Sequence, residues 1–370
     1  MSEKTKRRHH GGDVWSFSRK YGIPVEKIID FSAPINPFGP PPNAIKAVRK
    51  FTGLVRFYPD QNPVDLKRSL VEYVQGIGLD NVIVGNGSVE LIYMFVELFA
   101  RGHEVVIPVP AFTEYERAAL RVNAKPVLVQ MSEDFSLNVG FIKKAVTDDT
   151  RVLIVCNPHS PSGKVFNREL VLDLVDFCYS RGVYILVDEN YIDFIRSRQD
   201  YTVAPYVNKY ENLFVVRSFS KFFGMPGLRL GYGIGASGLI QSLENFRLPW
   251  NASCLALVAA KAALEDTKFI EKTMRFVERE RRRFAGMLGK ISALKVFPSE
   301  TNFLLIKILD NSITAVELKE KLAEKGISIR SCEDFPGLDN TYFRVSFRTP
   351  RENLMLVEAL KTIFSKRETA

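Results

Sequence analysis

The stretch Ser218-Phe219-Ser220-Lys221 stands between the apolar run Leu213-Phe214-Val215-Val216 and the segment Gly227-Leu228-Arg229-Leu230-Gly231. The apolar run is typical of a buried strand, so Lys221 follows the end of that strand. An amine in this position can react covalently with a carbonyl group, and serine hydroxyls beside an arginine can bind an anion. Short matches of this kind also occur in surface loops, so the interpretation depends on the rest of the chain.

Further apolar runs predict a sheet around this strand. They cover residues 82–84, 105–107, 127–129, 152–155 and 183–187, and helical stretches such as 113–122 and 168–181 lie between them. Near-continuous apolar strands that alternate with amphipathic helices indicate a mostly parallel sheet with helices on both faces. The sequence therefore predicts an α/β fold.

The pattern changes beyond Gly231, where a helical stretch at 241–247 comes first. Helical stretches at 254–265, 269–290 and 314–325 are combined there with apolar runs at 294–297, 302–308, 327–331 and 342–347. We expect an N-terminal arm and loop at residues 1–42, a large domain at 43–248 and a smaller C-terminal α/β domain at 249–370.

The composition is that of an ordinary globular protein, with 46% hydrophobic and 25% charged residues in a chain of 370. The formal net charge of +9 comes without a nucleic-acid-binding motif, so we expect an anionic small molecule and no nucleic acid as partner. The four cysteines have no paired spacing, which argues against a zinc site and a disulfide framework. No signal peptide or spanning apolar segment is predicted, and we expect a cytoplasmic protein without a metal or a membrane partner.

Polar and aromatic residues follow the ends of several predicted strands. Phe112, Ser160, Asp188 and Lys221 each come shortly after an apolar run. Because the carboxyl ends of parallel strands lie at one edge of a sheet, we expect these residues to face a single cleft. The turn Gly85-Asn86-Gly87-Ser88-Val89-Glu90 opens a helix after another strand and can present unpaired N–H groups to an anion.

Together these residues meet the requirements of pyridoxal phosphate. Lys221 would bond to the aldehyde, Asp188 would keep the ring nitrogen protonated, and Phe112 would stack on the ring. Tyr191 can reach the ring oxygen, and Lys221, Asp188 and Tyr191 are the predicted catalytic residues. The predicted phosphate-binding residues are Gly87, Ser88, Val89, Ser218, Ser220 and Arg229. Each residue taken alone also fits a structural role, such as a helix cap or a core aromatic, but their joint occurrence at strand ends favours the cofactor.

The motifs also carry a resemblance to a known family. The chain resembles the fold-type I pyridoxal-phosphate enzymes of the histidinol-phosphate aminotransferase branch in Asp188-Glu189-Asn190-Tyr191, Ser218-Phe219-Ser220-Lys221 and Gly227-Leu228-Arg229-Leu230-Gly231. Within this branch it is most similar to the L-threonine-O-3-phosphate decarboxylases of cobalamin biosynthesis. The supporting stretches are His10-Gly11-Gly12, Asp30-Phe31-Ser32-Ala33, Ile35-Asn36-Pro37, Leu248-Pro249-Trp250, Ile329-Arg330-Ser331-Cys332, Phe335-Pro336-Gly337-Leu338-Asp339 and Tyr342-Phe343-Arg344.

This resemblance implies a homodimer whose active sites lie at the subunit interface. It implies that Tyr58 reaches the cofactor phosphate of the partner subunit. It also implies that a phosphorylated amino-acid substrate is bound by His10, Asn36, Arg330 and Arg344. The two arginines would hold the two anionic groups of that substrate, since guanidinium groups bind carboxylate and phosphate in a forked geometry.

Three positions depart from the family pattern. Ser160 stands where an asparagine usually donates to the ring oxygen of the cofactor, and Asp13 and Pro34 replace two further asparagines. Because serine is shorter than asparagine, the contact to the ring oxygen passes to Tyr191 or to a water molecule. The replacements at positions 13 and 34 bear on the identity of the substrate.

The sequence leaves two reactions open. In both, the bond that breaks is the one held perpendicular to the cofactor ring: loss of the carboxylate is decarboxylation, and transfer of the Cα proton to Lys221 begins transamination. The resemblance favours decarboxylation of L-threonine O-3-phosphate to (R)-1-amino-2-propanol phosphate. The alternative is a histidinol-phosphate aminotransferase or a related class I/II aminotransferase. A regulator with a degenerate enzyme domain is disfavoured because Lys221 and Asp188 are both intact.

Overall fold

The computed structural model describes residues 10–310 and 312–365. The α-helices are α1 (Val14–Tyr21), α2 (Pro42–Lys50), α3 (Val64–Val74), α4 (Ser88–Ala100), α5 (Glu114–Arg121), α6 (Val139–Ala145), α7 (Arg168–Ser180), α8 (Ser237–Phe246), α9 (Cys254–Leu264), α10 (Thr267–Leu288), α11 (Ala315–Ala323) and α12 (Pro350–Ser365). The strands are β1 (Ile29–Asp30), β2 (Val82–Gly85), β3 (Glu104–Val109), β4 (Lys125–Gln130), β5 (Thr150–Cys156), β6 (Tyr184–Asp188), β7 (Leu213–Ser218), β8 (Gly231–Gly235), β9 (Leu294–Val296), β10 (Phe303–Ile308), β11 (Ile327–Ser328), β12 (Arg330–Ser331) and β13 (Tyr342–Ser346).

Seven strands form the central sheet in the order β2-β8-β7-β6-β5-β3-β4. The five strands from β3 to β7 pair with one another in parallel. Strand β8 runs antiparallel to both of its neighbours, β2 and β7. The predicted α/β fold with a mostly parallel sheet is confirmed, and the antiparallel strand β8 is an addition that the hydropathy pattern does not predict.

Alternate residues of the central strands face opposite sides of this sheet. In β7, Leu213 and Val215 belong to one hydrophobic cluster, whereas Phe214 and Val216 belong to another. All four side chains are fully buried. Because helices cover both faces, the strand is a continuous apolar run rather than an alternating one. This packing fixes the carboxyl ends of β6 and β7.

A second sheet contains four antiparallel strands in the order β12-β13-β10-β9. The register of β12 and β13 sets Arg330 opposite Arg344, so the two arginines are neighbours across one strand pair. The apolar run at 327–331 is divided in the structure, because β11 leaves this sheet and pairs in parallel with β1.

The N-terminal segment packs against the C-terminal part of the chain. Phe17 of α1 forms a small hydrophobic cluster with Ile28 and Ala323. The ammonium of Lys20 lies 2.8 Å from a carboxylate oxygen of Glu320. Together with the pairing of β1 and β11, these contacts hold the segment before α2 against α11 and β11. The domain boundaries at residues 42 and 248 stay a prediction.

Two further properties concern the described residues alone. No helix within 10–310 and 312–365 combines the length and the apolar character needed to cross a membrane. Over the same ranges, no cluster of three His, Cys, Asp or Glu side chains has the arrangement of a metal site. All four cysteines are free thiols.

Candidate active site

A cavity of about 330 Å³ lies at the carboxyl ends of the parallel strands, a size suited to a small-molecule ligand. Asp188 is the last residue of β6 and Ser218 is the last residue of β7, and Lys221 follows three residues later. The residues predicted from the sequence that line this cavity are His10, Ser88, Val89, Phe112, Ser160, Asp188, Tyr191, Ser218, Ser220, Lys221, Arg229, Arg330 and Arg344. The four strand-end residues that the sequence assigns to one cleft therefore share one cavity.

Asp188 is held at the base of the cavity by three hydrogen bonds. The hydroxyl of Tyr115 donates to Oδ2 at 2.6 Å. The backbone N–H and the side-chain amide of Asn190 donate to Oδ1 at 2.9 and 2.6 Å. Burial raises the pKa of Asp188, and the bonds from Tyr115 and Asn190 oppose that rise. The carboxylate is thus oriented and supported in its charged form within a low-dielectric site.

The Lys221 amine has no hydrogen-bond or ion-pair partner within residues 10–310 and 312–365. Burial, followed by the positive charges of Arg344 and Arg229, lowers the pKa of Lys221 to about 8. Near physiological pH a minor but appreciable fraction of the amine is therefore neutral, far more than in an ordinary lysine. A neutral and unpartnered amine is the form that attacks an aldehyde carbon.

Arg229 and the start of α4 form a cradle for an anion. Gly87 has a φ of +79°, and a Cβ atom at this position would lie 2.6 Å from Nη2 of Arg229. A Cβ at Gly231 would lie 2.4 Å from the backbone nitrogen of Ser88. Glycine is required at both positions because the guanidinium and the helix N-terminus approach them so closely. Gly87 itself does not line the cavity; it makes room for Arg229.

The opposite wall of the cavity carries two buried arginines. Arg344 donates to the hydroxyl of Ser160 at 3.1 Å and to the carbonyl of Ser32 at 3.3 Å, and its Nε is buried without a partner among the described residues. Nη2 of Arg330 donates to both carboxylate oxygens of Asp334, at 2.8 and 2.7 Å. Arg344 therefore keeps unused hydrogen-bonding capacity, whereas Arg330 is partly neutralised.

His10 lies at the mouth of the cavity and is fixed by a buried carboxylate. Its Nε2 is 2.8 Å from Oε1 of Glu114, which also accepts a hydrogen bond from Arg117 at 2.6 Å. Tyr93 donates to the other oxygen of Glu114 at 2.5 Å. Burial lowers the pKa of His10, and the Glu114 carboxylate opposes that effect. The N-terminal segment thus brings His10 to the cavity, as the resemblance implies.

Besides Gly87, two residues predicted for the site do not line this cavity. Asn36 is buried, does not line the cavity, and donates its side-chain amide to the Phe222 carbonyl and the Thr273 hydroxyl at 2.8 and 2.9 Å. This placement corrects the predicted substrate contact of Asn36. Tyr58 is 78% exposed and stacks on Trp250, outside the cavity of its own chain. Its predicted contact with a partner subunit stays a prediction.

Sequence reasoning missed two residues that support the site, Tyr115 and Glu114. Both lie in the first turn of α5, directly after Phe112. Residues that are three apart at the start of a helix lie on the same side of it. The spacing between Phe112 and Tyr115 therefore indicates that Tyr115 lies near the cavity. The partner of Glu114 is 104 positions away in the chain, and no local pattern indicates such a contact.

Residues 26–360 match the family model described as aminotransferase class I and II. The chain belongs to this family. A protein of Caldanaerobacter subterraneus that is provisionally named threonine-phosphate decarboxylase is 37% identical over 365 residues, 98% of this chain and 96% of the relative. A histidinol-phosphate aminotransferase of Methanosarcina mazei is 33% identical over 356 residues, 95% of this chain and 92% of the relative.

Among solved structures, the histidinol-phosphate aminotransferase of Sinorhizobium meliloti in complex with pyridoxal 5′-phosphate has a TM-score of 0.86. The match covers 99% of this chain and 98% of that chain at 24% identity, and it shows the fold alone. The family match and this structural similarity confirm the predicted fold-type I architecture.

Aminotransferases of class I and II depend on pyridoxal phosphate, and the residues of the cavity fit that group. The unpartnered amine of Lys221 is available to the aldehyde. Ser88 and Arg229 line the cavity and suit a phosphate, and a Cβ atom at position 87 would collide with the Arg229 guanidinium. The carboxylate of Asp188 suits a protonated ring nitrogen.

Proposed function

We propose that this chain is a pyridoxal-phosphate enzyme that decarboxylates L-threonine O-3-phosphate to (R)-1-amino-2-propanol phosphate. The observation that carries the proposal is the pairing of Arg330 with Arg344 on the wall of the cavity that contains Lys221. Threonine phosphate carries a carboxylate and a phosphate on one small molecule, and two neighbouring guanidinium groups can bind both. The 37% identity to the protein named threonine-phosphate decarboxylase supports the same substrate.

In this proposal the cofactor, when bound, withdraws electrons from the bond that breaks at the substrate Cα. Lys221, Asp188 and Arg229 line the cavity. Lys221 would hold the aldehyde end of the cofactor, Asp188 would keep a proton on the ring nitrogen, and Arg229 would bind the phosphate. Tyr191 also lines the cavity and would contact the ring oxygen. Each of these residues would orient the cofactor or set the charge at one end of it.

The two arginines would orient the substrate through its two anionic groups and so decide which bond at Cα breaks. Arg344 has the larger unused hydrogen-bonding capacity because its Nε is unpartnered within the described ranges. Arg330 already shares its charge with Asp334. We infer that the phosphate, which carries more charge, binds at Arg344, and that the carboxylate is held more weakly near Arg330, from which carbon dioxide can leave.

Transamination of histidinol phosphate is the second candidate function, and the 33% identity to the Methanosarcina mazei enzyme favours it. Histidinol phosphate carries a phosphate but no carboxylate, so in its own half of the reaction it would occupy one of the two arginines. The second arginine would serve the amino-group acceptor. Threonine phosphate needs both arginines in a single step, which is why we prefer it.

The deciding experiment supplies the purified, cofactor-loaded protein with threonine phosphate, serine phosphate and histidinol phosphate in parallel, with and without 2-oxoglutarate. We expect carbon dioxide and aminopropanol phosphate from threonine phosphate in the absence of 2-oxoglutarate. Turnover of histidinol phosphate that requires 2-oxoglutarate, with no carbon dioxide released from threonine phosphate, would overturn the proposal. Serine phosphate measures how much the substrate methyl group contributes to recognition.

We further propose that the protein acts as a homodimer with shared active sites. Tyr58 stacks on Trp250, and their near neighbours in the chain, Phe57 and Leu248, are also exposed apolar side chains. Leu248 is 74% exposed. Apolar residues gathered in this way on a surface are typical of a protein–protein interface. A second copy of the chain that covers this surface would bring Tyr58 to the neighbouring cavity.

A further inference from the structure

The backbone N–H of Asn36 and both polar atoms of its side chain form hydrogen bonds with other residues. Its backbone N–H donates to the Lys221 carbonyl at 3.0 Å. Its Nδ2 donates to the Phe222 carbonyl at 2.8 Å and to the Thr273 hydroxyl at 2.9 Å. Its Oδ1 accepts from the Phe38 N–H at 3.0 Å. The side chain is only 2% exposed, so these bonds are not shared with solvent.

The two carbonyls that Asn36 binds belong to a segment without regular structure. Strand β7 ends at Ser218, and the chain makes a turn at residues 221–224 before a short 3₁₀ helix begins at Pro226. Neither carbonyl has a partner in a sheet or helix, although the Lys221 carbonyl also accepts a hydrogen bond from the Gly224 N–H at 3.3 Å. Within residues 10–310 and 312–365, Asn36 provides the one hydrogen bond to the Phe222 carbonyl. A buried carbonyl without a partner is unfavourable, so these bonds select one backbone path.

We propose that Asn36 is a positioning residue that fixes the backbone on the C-terminal side of Lys221 and thereby aims the Lys221 amine into the cavity. Through Thr273, which is fully buried in α10, the same side chain ties this segment to the long helix. The proline-rich loop that contains Asn36 thus acts as a brace between the reactive lysine and α10. The inference rests on the cofactor role of Lys221 in the proposed function, but not on the choice between decarboxylation and transamination.

A positioning role differs from a substrate contact because it leaves no N–H of the Asn36 side chain free to bind a substrate. Both side-chain amide hydrogens of Asn36 are committed to protein acceptors. The preceding residues Ala33, Pro34 and Ile35 line the cavity, whereas Asn36 does not. A substrate atom could reach the amide only if the bonds to Phe222 and Thr273 broke.

The test is the loading of pyridoxal phosphate into the apo-protein, without substrate, followed by the absorbance of the bound cofactor. Asn36→Ala removes every side-chain bond, and Asn36→Asp keeps the shape but sets an oxygen against the Phe222 carbonyl. We expect both variants to load about tenfold more slowly or worse. We also expect the pH midpoint of loading to rise above the wild-type value of about 8, because a misdirected Lys221 amine is less buried.

Two controls complete the design. Asn43→Ala changes an exposed asparagine just beyond the same loop and should load like the wild type. Thr273→Val keeps the carbonyl bonds but removes the hydroxyl that anchors Asn36, and it should slow loading by about threefold. Thermal unfolding of the apo-proteins shows whether the Asn36 variants fold. If they do not fold, the loading rate of Thr273→Val tests the inference in their place.

The inference would be overturned if folded Asn36 variants loaded the cofactor at the wild-type rate and with the wild-type pH midpoint. If the Asn36 variants are unfolded, a wild-type loading rate in Thr273→Val would overturn it. Normal loading with a raised KM for threonine phosphate would return Asn36 to the role of a substrate contact. Failure of the wild type itself to take up the cofactor would refute the proposed function instead, so the two failures are distinguishable.

Discussion

At the scale of single residues, the reactivity of Lys221 depends on the charges around it. Burial and the guanidinium groups of Arg344 and Arg229 lower the pKa of its amine to about 8, from 10.5 for an ordinary lysine. The neutral amine attacks the cofactor aldehyde, so the rate of cofactor loading should rise with pH through about 8 and level off above it. An ordinary lysine would give a rate that still rises at pH 10.

Replacement of Arg344 tests the cause of this shift. Arg344→Gln removes a positive charge near the amine, so the pKa of Lys221 should rise and the loading curve should move to higher pH. Arg282→Gln removes the same charge from an exposed position on α10 and should leave the curve unchanged. Stopped-flow absorbance over pH 6 to 10 measures both. Equal curves for the two variants would show that the charge of Arg344 does not act on Lys221.

Tyr115 is the residue whose removal most directly changes Asp188. Its hydroxyl donates to the carboxylate at 2.6 Å and opposes the rise in pKa that burial imposes on Asp188. Tyr115→Phe should therefore raise the pKa of Asp188 and weaken its hold on a protonated ring nitrogen. Because a hydrogen bond to a charged group is worth about 1.5–3 kcal/mol, we expect cofactor affinity to fall at least about tenfold.

Fluorescence titration of the apo-protein with pyridoxal phosphate measures this loss. Tyr179→Phe is the matched control, since Tyr179 lies half-exposed on α7 and makes an edge-to-face contact with Tyr210. If Tyr115→Phe binds the cofactor as tightly as the wild type, Asp188 is held by Asn190 alone.

At the scale of elements, an ion pair buried between β6 and β7 fixes the two catalytic strands. Glu189 directly follows Asp188, and its Oε2 lies 2.7 Å from Nη2 of Arg217, which directly precedes Ser218. Thr202 bonds both partners. Neither charge has access to water, with exposures of 0% and 1%. The pair therefore links the residues on which the cofactor site is built.

Breaking this pair should destabilise the whole fold. Arg217→Met leaves the Glu189 carboxylate buried without its partner, and we expect a loss of about 3–5 kcal/mol in the free energy of unfolding. The double variant with Glu189→Met removes both charges and should recover part of that loss. Denaturant unfolding of the single and double variants measures the difference. A single variant as stable as the wild type would show that water or local movement compensates the charge.

The sequence predicts those elements whose signal is local. Strands β3, β5, β6 and β7 are continuous apolar runs, and the residues at their ends lie where parallel topology requires. Strand β8 escapes prediction because three of its five residues are glycines, which are rare in strands. The structure gives the reason for one of them: a Cβ at Gly233 would lie 2.3 Å from the ring of Phe214. That close approach exists only in three dimensions.

The site shows the same division between local and long-range information. Lys221, Asp188 and Arg229 are predictable because their motifs are short and lie at strand ends. The role of Asn36 is not, because its motif also fits a substrate contact and its partner Thr273 is 237 positions away. Contacts of this length are set by how the elements pack, which the residue pattern of one segment does not contain.

At the scale of the whole molecule, the cavity is assembled from three parts of the chain. His10 comes from the N-terminal segment, Asp188 and Lys221 come from the central sheet, and Arg330 and Arg344 come from the C-terminal sheet. The packing of α1 and β1 against the C-terminal part brings the first and third of these together. The cavity residues from the N-terminal segment and from the C-terminal sheet therefore depend on the same packing contacts. In the proposed homodimer, the partner subunit would supply a fourth part.

The role of Tyr58 in the partner subunit can be tested by mixing two inactive variants. In a mixed dimer of Lys221→Ala and Tyr58→Ala chains, one site has Lys221 and receives an intact Tyr58 from its partner, whereas the other site has lost both. If Tyr58 acts across the interface, equal mixing after subunit exchange should restore about a quarter of the wild-type sites, because half of the dimers are mixed and each has one intact site. If Tyr58 acts within its own chain, every site that keeps Lys221 in the mixed dimer lacks its tyrosine. Activity would then stay at the level of the separate variants, although sedimentation would still detect the dimer.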